Sequence, residues 1–185
     1  MSFYSVILYL HIIGAAVLFA GLGIEGIVFS NLKKAAASRE VLSWGPSMRI
    51  LRMVYTLSLV LLLVPGLYLA IESWGFSSWV ISGLVLLIAL SGYGTMTGKK
   101  IGMTIGSLIG KEGPLTDEVK KRISDPLLMK SYKIKLTLAL GIIFMMTIKP
   151  GWTGSLISVA AAFGIGLLLD LPRKQKEEVK GLESA

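Results

Sequence analysis

Three side chains could do chemistry in surroundings that otherwise offer little of it: His11, Glu25 and Lys149. His11 is the only histidine of the chain and lies about two turns inside a long apolar run. A polar ring at that depth is costly unless it faces other helices and finds a partner. It could be an axial haem ligand, a ligand to another metal, or a proton carrier. It could equally be an interfacial ring whose nitrogen reaches water or a backbone carbonyl. Glu25 follows fourteen residues later. At ~100° per residue the two share a helix face to within about 40°, but a rise of about 21 Å keeps them from holding one ion together. Glu25 reads as a proton or cation site, or as the partner of Arg49 or Arg52 in a salt bridge. Lys149 ends a later apolar run. There it can compensate the helix dipole and reach toward water, or pair with His11 around a buried cofactor.

The elements that must position these groups are hydrophobic helices. Of the 185 residues, 54% are hydrophobic and 16% charged, well below the ~25% charged of soluble domains. The apolar residues form long runs divided by short breaks that carry charge, glycine and proline, which is the membrane pattern. Five spans are expected, at about 3–30, 48–71, 79–97, 132–148 and 153–171. They form a single all-α transmembrane bundle over 1–172, with a charged tail at 173–185. The first run is too long for a signal-peptide core, so it reads as a retained helix. Ser47 is expected to cap the second span. Pro65-Gly66 within it should kink the helix and free the carbonyl of Leu61. Thr116 to Ile123 reads as one short polar helix. Ser124-Asp125-Pro126 reads as a helix start that feeds the fourth span.

Charge orients the bundle. With the N-terminus outside, the segments 31–52, 98–135 and 172–185 are cytoplasmic and hold 18 of the 19 Lys and Arg residues, Lys149 alone excepted. The positive-inside rule selects that orientation. Trp74, Trp79 and Trp152 then mark the outer interface and Trp44 the inner one. His11 and Lys149 fall in the same leaflet. The net charge of +8 is thereby explained without nucleic acid as a partner. The partner is the lipid bilayer, in a bacterial-type cytoplasmic membrane.

Gly94, Gly98, Gly102, Gly106 and Gly110 recur every four residues. Such a stripe permits close helix packing and offers a face for a homo-oligomer. It crosses Lys99-Lys100, so it either extends the third helix beyond the membrane or bends it along the surface. With no cysteine, disulfides, thiolate metal sites and a cysteine nucleophile are excluded. A single histidine excludes a multi-histidine site within one chain. There is no P-loop, dinucleotide fingerprint or nucleophile elbow, and Met145-Met146 reads as packing.

Leu10-His11-Ile12-Ile13, followed after five residues by Phe19-Ala20-Gly21-Leu22, resembles the opening helix of the HemJ-type protoporphyrinogen oxidases. That resemblance implies haem b held by a histidine and a lysine, with His11 as axial ligand and Lys149 as the candidate second ligand. The Pro-Arg pair that follows in that family is replaced here by the segment around Glu25. A more extended resemblance is to a family of uncharacterised bacterial multi-pass membrane proteins. It is carried by the early His, by Pro65-Gly66-Leu67-Tyr68 and by Phe144 to Pro150, and it implies no activity. The early His is also similar to that of CopD-like copper-resistance proteins, which makes copper a lesser expectation. The functional expectation is a membrane protein that binds haem b or is redox-linked through His11. The alternatives are a small proton, ion or solute transporter using Glu25 and the Pro65-Gly66 kink, and an assembly partner without chemistry.

Overall fold

The structure, a computed structural model, describes residues 2–169, so the charged tail expected at 173–185 lies outside the described residues. Among those residues it is entirely helical: α1 (Phe3–Leu32), α2 (Ser38–Ser43), α3 (Gly45–Leu69), α4 (Ser78–Gly106), α5 (Asp117–Ile123), α6 (Pro126–Ile148) and α7 (Trp152–Leu168). A wider π-helical turn, Ala70–Trp74, continues α3. Four stretches are long and apolar enough to cross a membrane: Phe3–Leu32, Ser38–Trp74, Ser78–Gly106 and Asp117–Ile148. The fifth, α7, is apolar but has only 17 residues, at the lower limit of what spans.

Several elements differ in their ends from the expectation. Pro46 takes a first-turn position of α3 and Trp44 precedes the helix, so Ser47 lies inside α3 and does not cap it. The preceding basic segment contains α2, a turn and a half that the sequence pattern does not announce. The third span runs on unbroken to Gly106, so its glycine-bearing part extends the helix. Asp125 caps α6, its carboxylate accepting from the Leu127 N–H at 2.9 Å, with Pro126 at the first turn.

The helices form two groups. In one, α1 lies antiparallel along α3; in the other, α6 packs between α4 and α7. The groups meet more sparingly, where α1 touches α6 and, to a similar extent, where α3 touches α4. Glycine permits the closest approaches. A Cβ at Gly14 would stand 2.8–3.0 Å from Leu61 and Leu62, and one at Gly166 would stand 2.6 Å from Thr137 Oγ1 and 3.0 Å from Ile134. The α4 stripe plays no such part within the chain. A Cβ at Gly94, Gly98 or Gly106 would meet nothing within 4 Å, and Gly110 lies beyond the helix with φ +78°. A Cβ at Gly102 would stand 4.0 Å from the Arg52 guanidinium, so among the described residues of this chain no helix packs closely on the stripe.

One core fills the centre of the bundle around Leu22, Leu86, Leu138 and Met145. A second seals the end at which α1 and α4 finish. There Val28, Phe29 and Leu32 meet Val41, Ile101, Leu115, Val119, Ile123 and Leu128. The two loops at this end are tied by backbone bonds, Ser38 N–H to Gly113 O at 3.0 Å and Leu115 N–H to Ala36 O at 3.1 Å. The basic segment is therefore a packed cap on the bundle as well as a carrier of charge.

Candidate functional site

Where α1 meets α6, two opposite charges are buried together. Glu25 is 3% exposed and Lys135 is fully enclosed. The Lys135 ammonium is ion-paired with Glu25 Oε1. Tyr55 of α3 donates its hydroxyl proton to Glu25 Oε2 at 2.6 Å, and Lys135 Nζ lies 3.5 Å from Thr97 Oγ1 of α4. The rings of Tyr55 and Phe29 flank the ammonium at 5.6 and 5.9 Å from their centroids. One site thus draws on α1, α3, α4 and α6. Each element presents its group for a local reason. Gly26 has no side chain, so the Tyr132 hydroxyl passes 2.6 Å from where a Cβ would be and α6 comes close to α1 beside the pair. Thr97 spends its own proton on the helix carbonyls of Tyr93 and Gly94, at 2.8 and 3.2 Å, which leaves its oxygen to accept from Lys135.

A buried ion pair holds only if its remaining hydrogen-bonding capacity is met, since removing two charges from water costs several kcal/mol per ion. Here Glu25 receives both Lys135 and Tyr55. Its partner is therefore Lys135, not Arg49 or Arg52 as the sequence had suggested. The charge distribution along the sequence groups Lys135 with the cytoplasmic basic residues; the structure places it inside the bundle, nine residues along α6 from Pro126.

The pair borders a cavity of ≈ 670 Å³ between α3 and α4. Arg49, Arg52 and Lys99 lie at one end of its lining, Glu25, Tyr55 and Lys135 at mid-length, and Leu18, Leu59, Leu87 and Leu90 at the other end. Its volume falls in the ~300–1,000 Å³ range of small-molecule sites. Four cations line it against one carboxylate, and that carboxylate is already paired. Among the described residues no carboxylate forms an ion pair with Arg49, Arg52 or Lys99.

His11 and Lys149 each have other partners. His11 Nδ1 lies 3.0 Å from the carbonyl oxygen of Leu62, and its ring rests on Gly66, where a Cβ would come within 2.9 Å of Cε1. A carbonyl only accepts, so Nδ1 carries the proton, and Nε2 of the neutral ring keeps its lone pair. This bond joins α1 to the turn of α3 that precedes Pro65. Lys149, in left-handed backbone at the end of α6 with φ 51°, holds its ammonium 3.6 Å from the Trp74 ring centroid and 5.6 Å from that of Trp79. The eight residues from Gly66 to Trp74 correspond to a rise of about 12 Å, so the ammonium and the imidazole take separate places along the bundle. Among the described residues no three His, Asp or Glu side chains gather as a metal site.

No protein-family model matches the chain, and neither a curated protein nor a solved structure matches it.

Proposed function

We propose that this is a five-span membrane protein, N-terminus outside, of a bacterial-type cytoplasmic membrane, and that it works as a small carrier in which proton binding at Glu25 is coupled to movement of an ion or small solute. The membrane placement is supported by an inverted distribution of polarity. Ile12, Leu57, Val64, Ile88 and Ile157 are exposed, while Glu25, Lys135, Ser58 and Thr97 are buried, as expected when the solvent around the helices is hydrocarbon. The orientation rests on the positive-inside rule, to which α5 and the loops beside it contribute Lys111, Lys120, Lys121 and Arg122.

The observation that carries the carrier reading is the buried Glu25–Lys135 pair at the junction of the two helix groups, beside a cation-lined cavity. A proton that reaches Glu25 neutralises the carboxylate. Lys135 then remains as an unpaired buried cation, a state disfavoured by several kcal/mol. Relief comes from loss of the lysine proton or from admission of an anion beside it. Either event links proton movement to the α1–α6 contact. Pro65, which lacks an N–H for the helix ladder, and Gly66 give α3 a place to bend. Proton flux into liposomes containing the protein tests this. Flux is expected with the native chain and absent with Glu25→Gln, and equal flux in the variant would overturn the role of Glu25.

A second reading, haem b binding, is favoured by one observation. The Nδ1–H bond of His11 to Leu62 O is the kind of outer contact that orients a ligating imidazole and leaves Nε2 to bind iron. His11 would hold the haem, and Lys149 could join it only after leaving Trp74. A bound haem would supply one-electron chemistry. Protein purified in mild detergent should then show a Soret band that His11→Ala loses. A preparation that stays colourless after haem is added excludes it.

A further inference from the structure

We infer that the cavity between α3 and α4 is a binding site for one anionic phospholipid of the cytoplasmic leaflet, its phosphodiester held by Arg49, Arg52 and Lys99 and one acyl chain lying along Gly94 and Gly98 toward Leu59, Leu87 and Leu90. The inference rests on the membrane placement and orientation proposed above and not on the carrier role.

Three features select this occupant. The first is charge. Arg49 and Arg52 lie one turn apart on α3 and face Lys99 across the mouth of the cavity, with no carboxylate paired to them among the described residues. Guanidinium groups bind phosphate oxygens in pairs, and basic pockets between spans at the cytoplasmic side suit anionic headgroups. The second is the chemistry along the cavity. From Arg52 to Leu59 the axis rises by about 10 Å, and the lining passes from the cations at the mouth, past Glu25, Tyr55 and Lys135 already bonded to one another, to leucine. The hydroxyls on the way are committed inward. Thr56, Ser58, Ser91 and Thr95 donate to the carbonyls of Arg52, Gly14, Leu87 and Ser91 at 2.8–3.0 Å. A hydrated solute would find few donors there, whereas an acyl chain requires none. The third is shape. Gly94 and Gly98 bare the α4 wall, with nothing within 4 Å of where a Cβ would stand, and α3 makes few contacts with α4. A lipid can therefore enter sideways, its headgroup remaining at the interface.

The test uses the full chain, delipidated in mild detergent and titrated with phosphatidylglycerol, with phosphatidylcholine of the same acyl chains, and with glycerol phosphate, read by native mass spectrometry. One phosphatidylglycerol is expected to bind about tenfold or more tightly than phosphatidylcholine, with glycerol phosphate not retained. The Arg49→Gln/Arg52→Gln/Lys99→Gln variant should lose that preference. Gly98→Leu, which leaves the charges and fills the groove, should lose retention. Lys120→Gln/Lys121→Gln, which removes charge from α5 away from the cavity, should bind as the native chain does. Equal affinity for the two lipids, retention of glycerol phosphate, or unchanged binding by the triple variant or by Gly98→Leu each overturns the proposal. Lipid selectivity is read on the native chain in detergent and proton flux on the native chain in liposomes, so a chain that prefers phosphatidylglycerol but passes no protons overturns the carrier role alone, and one that passes protons without that preference overturns this inference alone.

Discussion

Lys135 is enclosed without any exposed surface, and its charge is answered by Glu25, Thr97 and two aromatic faces drawn from α1, α3 and α4. Removing either member of such a pair leaves the other as an uncompensated charge, which costs about 3–5 kcal/mol, whereas replacing both by apolar groups of like size is often nearly neutral. Lys135→Met is therefore expected to lower the unfolding temperature in detergent sharply, and Glu25→Gln combined with Lys135→Met to recover most of the loss. Additive losses in that double-mutant cycle would mean the two charges do not act as a pair. Glu25 was legible in the sequence because a lone acid in an apolar run has few explanations. Lys135 was not, because it lies 110 residues from Glu25 and follows Lys130 and Lys133 in a segment whose other charges belong at the surface. Helix spacing separates it from them: Lys135 shares a face with the buried residues Leu128, Ser131, Leu138 and Ile142, at the three- and four-residue steps of an inward stripe.

At the scale of the elements, two kinds of glycine have opposite consequences. Gly14 lies against the backbone of α3, where an added methyl would stand 2.9 Å from the Leu61 carbonyl carbon, so backbone has to shift. Gly14→Ala is expected to destabilise by about 1–3 kcal/mol. Gly94→Ala has open space and relieves the helix of a flexible residue, a gain of about 0.5–1 kcal/mol. Thermal unfolding of the two variants side by side checks the pair of signs, and a neutral Gly14→Ala would mean that α1 and α3 are not in register as described. The sequence pattern drew attention to the α4 stripe because its period is regular, yet the close contacts are made by irregularly spaced glycines, among them Gly14, Gly26, Gly66, Gly83, Gly141 and Gly166. Periodicity reports a face and cannot report whether a neighbour covers it. The start of α6, in contrast, was legible from Ser124-Asp125-Pro126 alone. The Lys100 ammonium, 2.5 Å from Asp125, together with the Leu127 N–H, holds that carboxyl below the usual range. A depressed folded-state pKa contributes stability that is present above the ordinary carboxylate value and is lost as pH falls through the folded-state one. Asp125→Asn should remove that part of the acid dependence while keeping a capping side chain. If the acid limb of a pH–stability curve is unchanged in the variant, the Lys100–Asp125 contact is without consequence in solution.

For the whole molecule, the two helix groups and their single charged junction follow from how the chain distributes its polar residues. The α1–α3 seam is closed by small residues and by His11 and Ser58, each bonded to a carbonyl of the facing helix. The α4–α6–α7 group is closed by leucine, methionine and the glycines facing Thr137 and Ala162. The seam between α1 and α6 adds the buried ion pair to its apolar and ring contacts, and charge is what a proton can switch. The direction of that switch depends on whether the cationic mouth and the pair face the cytoplasm. Since the chain has no cysteine, single introduced cysteines report orientation without interference. In sealed inside-out vesicles, the exposed positions Ser107→Cys and Glu112→Cys should react with an impermeant maleimide and Ser73→Cys should not, with the reverse in right-side-out spheroplasts. The opposite labelling pattern would place Arg49, Arg52 and Lys99 at the outer leaflet. The anion cavity and the proton path to Glu25 would then open to the other side of the membrane, and the coupling derived from them would run in the opposite direction.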